Sequence, residues 1–448
     1  MNSLIAALGL LQLNRMRKAK GRKRPIVFVP GLYGSMGDEI IPGTGEWHFG
    51  VAKSVYGPFI EQLEEVGYTR DKDLFIAFYD WRKSCNICAK KYLKATINRA
   101  KKKSGYKRVN IISHSMGGLV SRAYAQGNYY EKDIEELIMV GTPHAGSANA
   151  YYFWEGGIVP SDRTLGSTLY KSLVDGYLWI LKKSYGTETD METIRKYLKS
   201  TKDLLPSSKY GKYIYTLNKN NNKEYMDYEK MIFKNDFLDN LNKREYLLKR
   251  RNIKVLLIGG NGYETNEYIR VDRNFKSNNK EWPDGRAISS DKSKSGDGTV
   301  VLKSAFAIDG DERTFSGKHT ELLQKSSNLI LGRLGIQKAY IMQKNFVQNY
   351  ISIRINGKGK ISIKELDRNR INSLYNETQR VKDVQIESYG KDLRWIMVRN
   401  QLKNRVYLEY ESAQNEDMEI LIEDSLGRHK IIKEKNVPKN KIYRMRIS

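Results

Sequence analysis

The run Val109, Asn110, Ile111, Ile112 stops at Ser113-His114-Ser115-Met116-Gly117-Gly118, and Leu119, Val120, Ala123 and Ala125 then follow at helical spacing. An apolar, β-branched stretch that breaks at one turn into a helix has the pattern strand, sharp turn, helix. On a parallel sheet that pattern makes a nucleophile elbow, which presents the Ser115 hydroxyl above the strand ends. Small residues are needed two before and two after the serine, because the strand and helix backbones nearly touch there. Gly117 meets the requirement, whereas Ser113 brings a Cβ and a hydroxyl where glycine is usual. An ordinary βα turn with an idle serine is the alternative, and the rest of the chain has to decide.

Other short apolar runs occur at 25–29, 74–78, 136–140 and 254–258, with helical patterns between most of them. Such spacing predicts an α/β domain with a mostly parallel sheet and crossover helices, over residues 25–339. Its length alone, 448 residues for the whole chain, calls for more than one core. Residues 148–251 interrupt the α/β pattern and are too long for a loop. Placed after a strand end, they are expected to form a helical cap over the carboxyl edge of the sheet, with an apolar underside that includes Trp154. A helical excursion packed only on itself is the other reading. From 340 to 448 the period changes to two, with 351–355 and 361–363 expected to form a hairpin about the turn 356–360. Further strands at 384–388, 393–398, 406–410, 418–422 and 442–447 predict a separate antiparallel β-sandwich.

Lys and Arg outnumber Asp and Glu by 78 to 51, a formal charge of +27. A charge of that size favours an anionic partner, of which a membrane surface is the expected one. Nucleic acid is disfavoured, since no recognisable nucleic-acid module is present and the basic residues are scattered. Residues 1–24 are apolar and then basic, the reverse of a secretory signal, and too short in apolar length to span a bilayer. They are compatible with an amphipathic segment leaning on anionic lipid and equally with plain disorder. A cytoplasmic or peripheral membrane location is expected, with secretion left open and the oligomeric state unassigned. Cys85 and Cys88 are the only cysteines, with no second pair to complete a zinc site. No metal and no cofactor are expected.

A serine hydroxyl needs a base within hydrogen-bond reach and a carboxylate to orient that base. Only five histidines are available. His48 lies in a loop before the first long helix, His429 in the sandwich, and His114 projects to the other side of the elbow. His144, in Gly141-Thr142-Pro143-His144-Ala145-Gly146-Ser147, comes too early in the chain to be the base, although it can line the site. His319 remains, in a loop that leads into a helix. Between them, Ser295-Gly296-Asp297-Gly298-Thr299-Val300 offers Asp297 flanked by glycines, and the competitors Asp291 and Asp309 lack such turns. The order Ser115, Asp297, His319 is the one expected of an α/β-hydrolase.

The segments Pro-Gly-Leu-Tyr-Gly-Ser (30–35), Tyr-Asp-Trp-Arg (79–82), Ser-His-Ser-Met-Gly-Gly (113–118), Gly-Thr-Pro-His-Ala-Gly-Ser (141–147), Gly-Asp-Gly-Thr-Val (296–300) and Lys-His-Thr-Glu-Leu-Leu (318–323) occur in that order. Together they resemble the lecithin:cholesterol acyltransferase-like branch of the α/β-hydrolase lipases, over about residues 25–335. The resemblance implies a triad of Ser115, Asp297 and His319 and acyl-ester substrates, usually lipids. Ser113 departs from the family pattern, as does Val301 where proline is common. For the oxyanion hole we expect the backbone N–H groups of Met116 and Leu32, or of Tyr33 if the register of that turn differs by one. Tyr33, His144 and Trp154 are the expected substrate contacts. The leading expectation is a serine esterase or lipase. Acyl transfer to an alcohol by the same triad, and a basic binding protein on a hydrolase scaffold, are the alternatives. Asp80 and Arg82 are expected to brace the sheet edge as an ion pair.

Overall fold

A computed structural model of the chain describes residues 23–159, 165–275, 281–336, 350–367, 370–376, 379–380, 384–389, 392–399, 405–426 and 428–447. Most of the N-terminal basic segment therefore lies outside the described residues.

The central sheet is parallel throughout, with its strands in the spatial order Asp311–Ser316, Lys254–Asn261, Ile134–Val140, Val109–His114, Ile26–Val29 and Leu74–Ile76. Helices cover both faces, as near-continuous buried apolar strands require. Val27, Val29, Ile111, Leu137 and Met139 point into one core, and Ile26, Phe28, Ile112, Ile138 and Val140 into the other. That alternation is the period of two expected of strands buried on both sides. The outermost strand, Asp311–Ser316, is polar and mostly exposed and carries no apolar pattern; the sequence reading did not contain it.

The insertion contains the helices Asn149–Gly156, Leu165–Tyr185, Asp190–Tyr197 and Asp236–Lys243. It also contributes the strands Ile214–Leu217 and Lys223–Tyr225 to a four-stranded sheet completed by Thr265–Asp272 and Arg286–Ser293. The expectation of helices alone was incomplete there.

The C-terminal part consists of two five-stranded antiparallel sheets. Ile351, Ile353 and Ile355 of one sheet meet Ile361, Ile363, Val406 and Leu408 of the other in a shared core. The expected hairpin is not formed. Tyr350–Asn356 pairs with Leu393–Arg399 and Glu416–Asp424, while Lys360–Asp367 pairs with Arg370–Asn376 and Arg405–Glu411 in the opposite sheet. The turn is held as a crossing between sheets: Gly359 N–H donates to the Tyr410 hydroxyl at 2.8 Å, and the Arg394 guanidinium donates to the carbonyls of Gly357 and Gly359.

Candidate active site

Ser115 has φ +55° and ψ −128°, between the strand Val109–His114 and the helix Met116–Ala125. Positive φ in a non-glycine residue costs on the order of 1–3 kcal/mol and persists only where the surroundings impose it. Here the Ser115 N–H donates to Val140 O at 2.8 Å, and the following helix turns back at once against the neighbouring strand. A Cβ on Gly117 would lie 2.4 Å from Val29 O and 2.5 Å from Pro30 O, so glycine is required. Ser113 fits because its side chain is fully buried with the hydroxyl donating to Ile138 O at 3.1 Å. The unusual residue thus ties the elbow strand to its neighbour.

Asp297 and His319 meet on the carboxyl side of the sheet. His319 Nδ1 lies 2.8 Å from Asp297 Oδ2, and His319 N–H donates to the Asp297 carbonyl at 2.9 Å. The other carboxylate oxygen accepts the N–H groups of Thr299 (2.9 Å) and Val300 (2.7 Å). Three donors on one buried carboxylate fix its orientation, and a carboxylate so held keeps the proton of the imidazole on Nδ1. Gly298 has φ +90°, and a Cβ on Gly260 would lie 2.6 Å from the Asp297 Cβ, which is why glycine occupies both positions.

His114 and Tyr56 form a connection that sequence reasoning missed. His114 Nε2 lies 3.0 Å from the His319 carbonyl, and its Nδ1 lies 3.2 Å from the Tyr56 hydroxyl. A carbonyl only accepts, so Nε2 carries the proton and Nδ1 accepts from Tyr56. The Tyr56 oxygen in turn accepts the Gly31 N–H at 2.9 Å. Burial, with His319 adding to it, pushes His114 down to about 3, so the ring is neutral as this pattern demands. The backbone of His319 is thereby joined to the Pro30–Ser35 turn. The His114 ring stands beside that of His319, with centroids 4.7 Å apart, rather than on the far side of the elbow.

That turn is braced from the Tyr79-Asp80-Trp81-Arg82 segment. Tyr79 hydroxyl donates to Pro30 O at 2.7 Å and Trp81 Nε1 to Ser35 O at 2.6 Å. Asp80 and Arg82 form the expected ion pair, two-pronged at 2.8 and 2.9 Å, and Arg82 also bonds Glu39 O and the Tyr185 hydroxyl. Tyr33 has φ +62° and a buried ring, stacked on Tyr177 at 5.3 Å and met edge-on by Trp81 at 4.6 Å.

Two cavities border Ser115 and His319. The larger lies under the cap and is walled by Leu32, Pro143, Ala150, Phe153, Val159, Val174 and Leu204, with Ser147, Asn149, Tyr263, Lys318 and Thr320 as polar residues. The smaller is bordered by Gly31, Leu32, Tyr33, Ala52, Val55, Tyr56 and His114. Leu32 borders both cavities and Tyr33 the smaller one, and Met116 follows Ser115 as the first residue of its helix.

Two expected contacts are placed elsewhere. His144 is buried beneath the site, its Nδ1 3.3 Å from Arg122 and its carbonyl accepting from Asn242 at 3.1 Å. Burial, then the Arg122 charge, holds its imidazole well below the usual range, and it lines neither cavity. Trp154 turns away from the cavity and meets Phe233 edge-on at 5.8 Å. Its helix presents Asn149, Ala150 and Phe153 to the cavity instead, residues one turn apart on one face. Cys85 and Cys88 are free and fully buried, and burial pushes both thiols up.

The family model of lecithin:cholesterol acyltransferase matches residues 49–165. The phospholipase A(1) LCAT3 of Arabidopsis thaliana is 37% identical over 91 residues, a stretch covering 20% of this chain and 20% of that protein. Among solved structures, the Bacillus licheniformis lipase BlEst2 in its mature form is 16% identical, with a TM-score of 0.39, over 70% of this chain and 93% of that one. Carboxylesterase CesB of Bacillus subtilis is 9% identical, with a TM-score of 0.31, over 70% and 83% of the two chains.

Proposed function

We propose that this chain, a lecithin:cholesterol acyltransferase-like α/β-hydrolase, is a serine esterase that cleaves lipid acyl esters through Ser115, His319 and Asp297. One observation carries the reading: a strained Ser115 borders the same two cavities as His319, whose ring is held by a triply bonded Asp297.

In this reading His319 Nε2 takes the Ser115 proton as the hydroxyl attacks the ester carbonyl. Asp297 keeps the imidazole in the tautomer with Nδ1 protonated and stabilises the imidazolium that forms. The tetrahedral oxygen meets the N–H groups of Leu32 and Met116, each donor worth about 3–4 kcal/mol in the transition state. The N-terminus of the helix Met116–Ala125 adds positive potential at the same point. His319 then returns the proton to the departing alcohol. Water, activated by the same imidazole, releases the acyl group.

The apolar wall of the larger cavity favours an acyl chain there, and a chain of +27 favours substrates presented on anionic surfaces. Among the described residues no helix is long and apolar enough to cross a membrane. Turnover of acyl esters of graded chain length, with and without anionic vesicles, tests the substrate class. Adding a second alcohol separates hydrolysis from acyl transfer: free fatty acid is expected as the main product, and acyl recovered chiefly on the added alcohol would reassign the chain as a transferase.

A further inference from the structure

The C-terminal sandwich does not bury all its apolar residues in itself. Tyr350, Tyr389, Leu393, Trp395 and Met397 project from one of its sheets into the main core of the hydrolase domain. Trp395 is fully buried, and its Nε1 donates to the Ser352 hydroxyl at 2.8 Å, so the sandwich itself sets the plane of the indole. The indole edge meets Tyr177 of the cap helix Leu165–Tyr185 at 5.3 Å and 88°. Gly176 makes the approach possible, since a Cβ there would lie 2.3 Å from the indole.

Tyr177 in turn stacks on Tyr33 at 5.3 Å and 10°, and Trp81 closes the third side, 4.6 Å from Tyr33 and 5.5 Å from Tyr177. Tyr33 has left-handed backbone geometry, which a bulky residue keeps only when its side chain is held. Leu32, the residue before it, borders both cavities at Ser115. The sandwich also contacts the hydrolase domain at a second point, where Gln385 Nε2 donates to Gly50 O at 2.5 Å.

We propose that Trp395 is a positioning residue: acting through Tyr177 and Tyr33, it holds the Gly31–Tyr33 turn in the conformation that aims the Leu32 N–H at the substrate oxygen. The sandwich is then a working part of the esterase rather than an appended binding module. The proposal rests on the assignment of Leu32 to the oxyanion hole and of Ser115 as nucleophile.

The test compares the full-length wild type with Tyr177→Leu, Tyr177→Phe, Trp395→Ala and Trp395→Phe, by kcat and KM on a soluble short-chain ester and by affinity for an alkyl boronic acid. The boronate forms a tetrahedral adduct on the serine and so reports the oxyanion donors. Tyr177→Leu and Trp395→Ala should lower kcat and boronate affinity at least tenfold with KM within about twofold, and the Phe variants should recover most of the loss. Where Trp395→Ala fails to fold, the Tyr177 pair decides. A folded Tyr177→Leu protein with kcat and boronate affinity within twofold of wild type overturns the proposal. Fluorophosphonate labelling of the same proteins separates the two levels: an adduct on Ser115 with unchanged kcat in Tyr177→Leu sinks the strut alone, whereas an adduct on another residue sinks the underlying assignment and the strut with it.

Discussion

The Nε2 of His114 lies 3.0 Å from the backbone oxygen of His319, and the other ring nitrogen lies 3.2 Å from the Tyr56 hydroxyl that also receives the Gly31 N–H. A neutral, buried imidazole thus couples the His319 loop to the turn proposed to hold the oxyanion. Removing the Tyr56 hydroxyl leaves the Gly31 donor and the His114 acceptor without their partner. Tyr56→Phe is expected to lower kcat about tenfold, with KM little changed, and to cost about 1–3 kcal/mol of stability. Steady-state kinetics and a urea melt check both. A kcat equal to wild type would show that the connection is structural only.

The two small-residue positions of the elbow are expected to behave differently. Gly117→Ala drives a methyl group to within 2.4–2.5 Å of the Val29 and Pro30 carbonyls, and both belong to the rigid centre of the sheet and the adjoining turn. A cost above about 3 kcal/mol and loss of activity are expected. Ser113→Ala removes one hydrogen bond to Ile138 O and creates no clash, so about 1 kcal/mol and near-normal kcat are expected. Chemical denaturation of the two variants measures this contrast, and equal losses would contradict the packing account.

Phe153 and Trp154 are neighbours in sequence with different surroundings. Phe153 borders the large cavity, so Phe153→Ala should extend the preferred acyl chain and alter kcat/KM between short and long esters several-fold. Trp154 packs on Phe233, so Trp154→Ala should lower stability by about 3–5 kcal/mol without changing the chain-length profile. A profile shifted by Trp154→Ala and not by Phe153→Ala would reverse the assignment of that helix face.

Glu155, on the same helix, is fully buried beside Asp284, whose carboxylate accepts the N–H groups of Ile232 and Phe233. Burial, then the Asp284 charge, pushes Glu155 up to about 8 from 4.5. The folded protein therefore holds a proton that the unfolded chain gives up at lower pH. This contribution to stability is full below about pH 4.5 and is lost as pH rises toward 8. Asp203, raised to about 6 chiefly by burial, adds a slope of the same sign. Glu155→Gln should flatten the decline of melting temperature between pH 5 and 8, leaving the Asp203 part. An unchanged slope would remove Glu155 from the account.

The candidate site was legible in part because its residues are scarce or constrained. Five histidines permitted elimination, and Asp297 sat between glycines whose φ or close approach the structure explains. The central sheet was legible where its strands are buried on both faces. The edge strand Asp311–Ser316 was not, because a mostly exposed polar strand has no apolar period. In the sandwich, Ile351 to Ile363 alternate identically whether the two strands pair or face each other, so the pattern could not distinguish a hairpin from a crossing between sheets. Tyr56 lies 58 residues from His114, on an ordinary amphipathic helix, and nothing local marks it. Trp395 looked like any inward strand residue, and only the packing of the two domains shows which core it enters.

The central claim is that Ser115 is the nucleophile. The most direct measurement is mass-spectrometric mapping of a fluorophosphonate adduct on the intact protein, alongside Ser115→Ala and Asp297→Asn. A single adduct on the peptide containing Ser115, absent in Ser115→Ala and slowed at least a hundredfold in Asp297→Asn, is the predicted result. Labelling of Ser115→Ala at the wild-type rate would contradict the account.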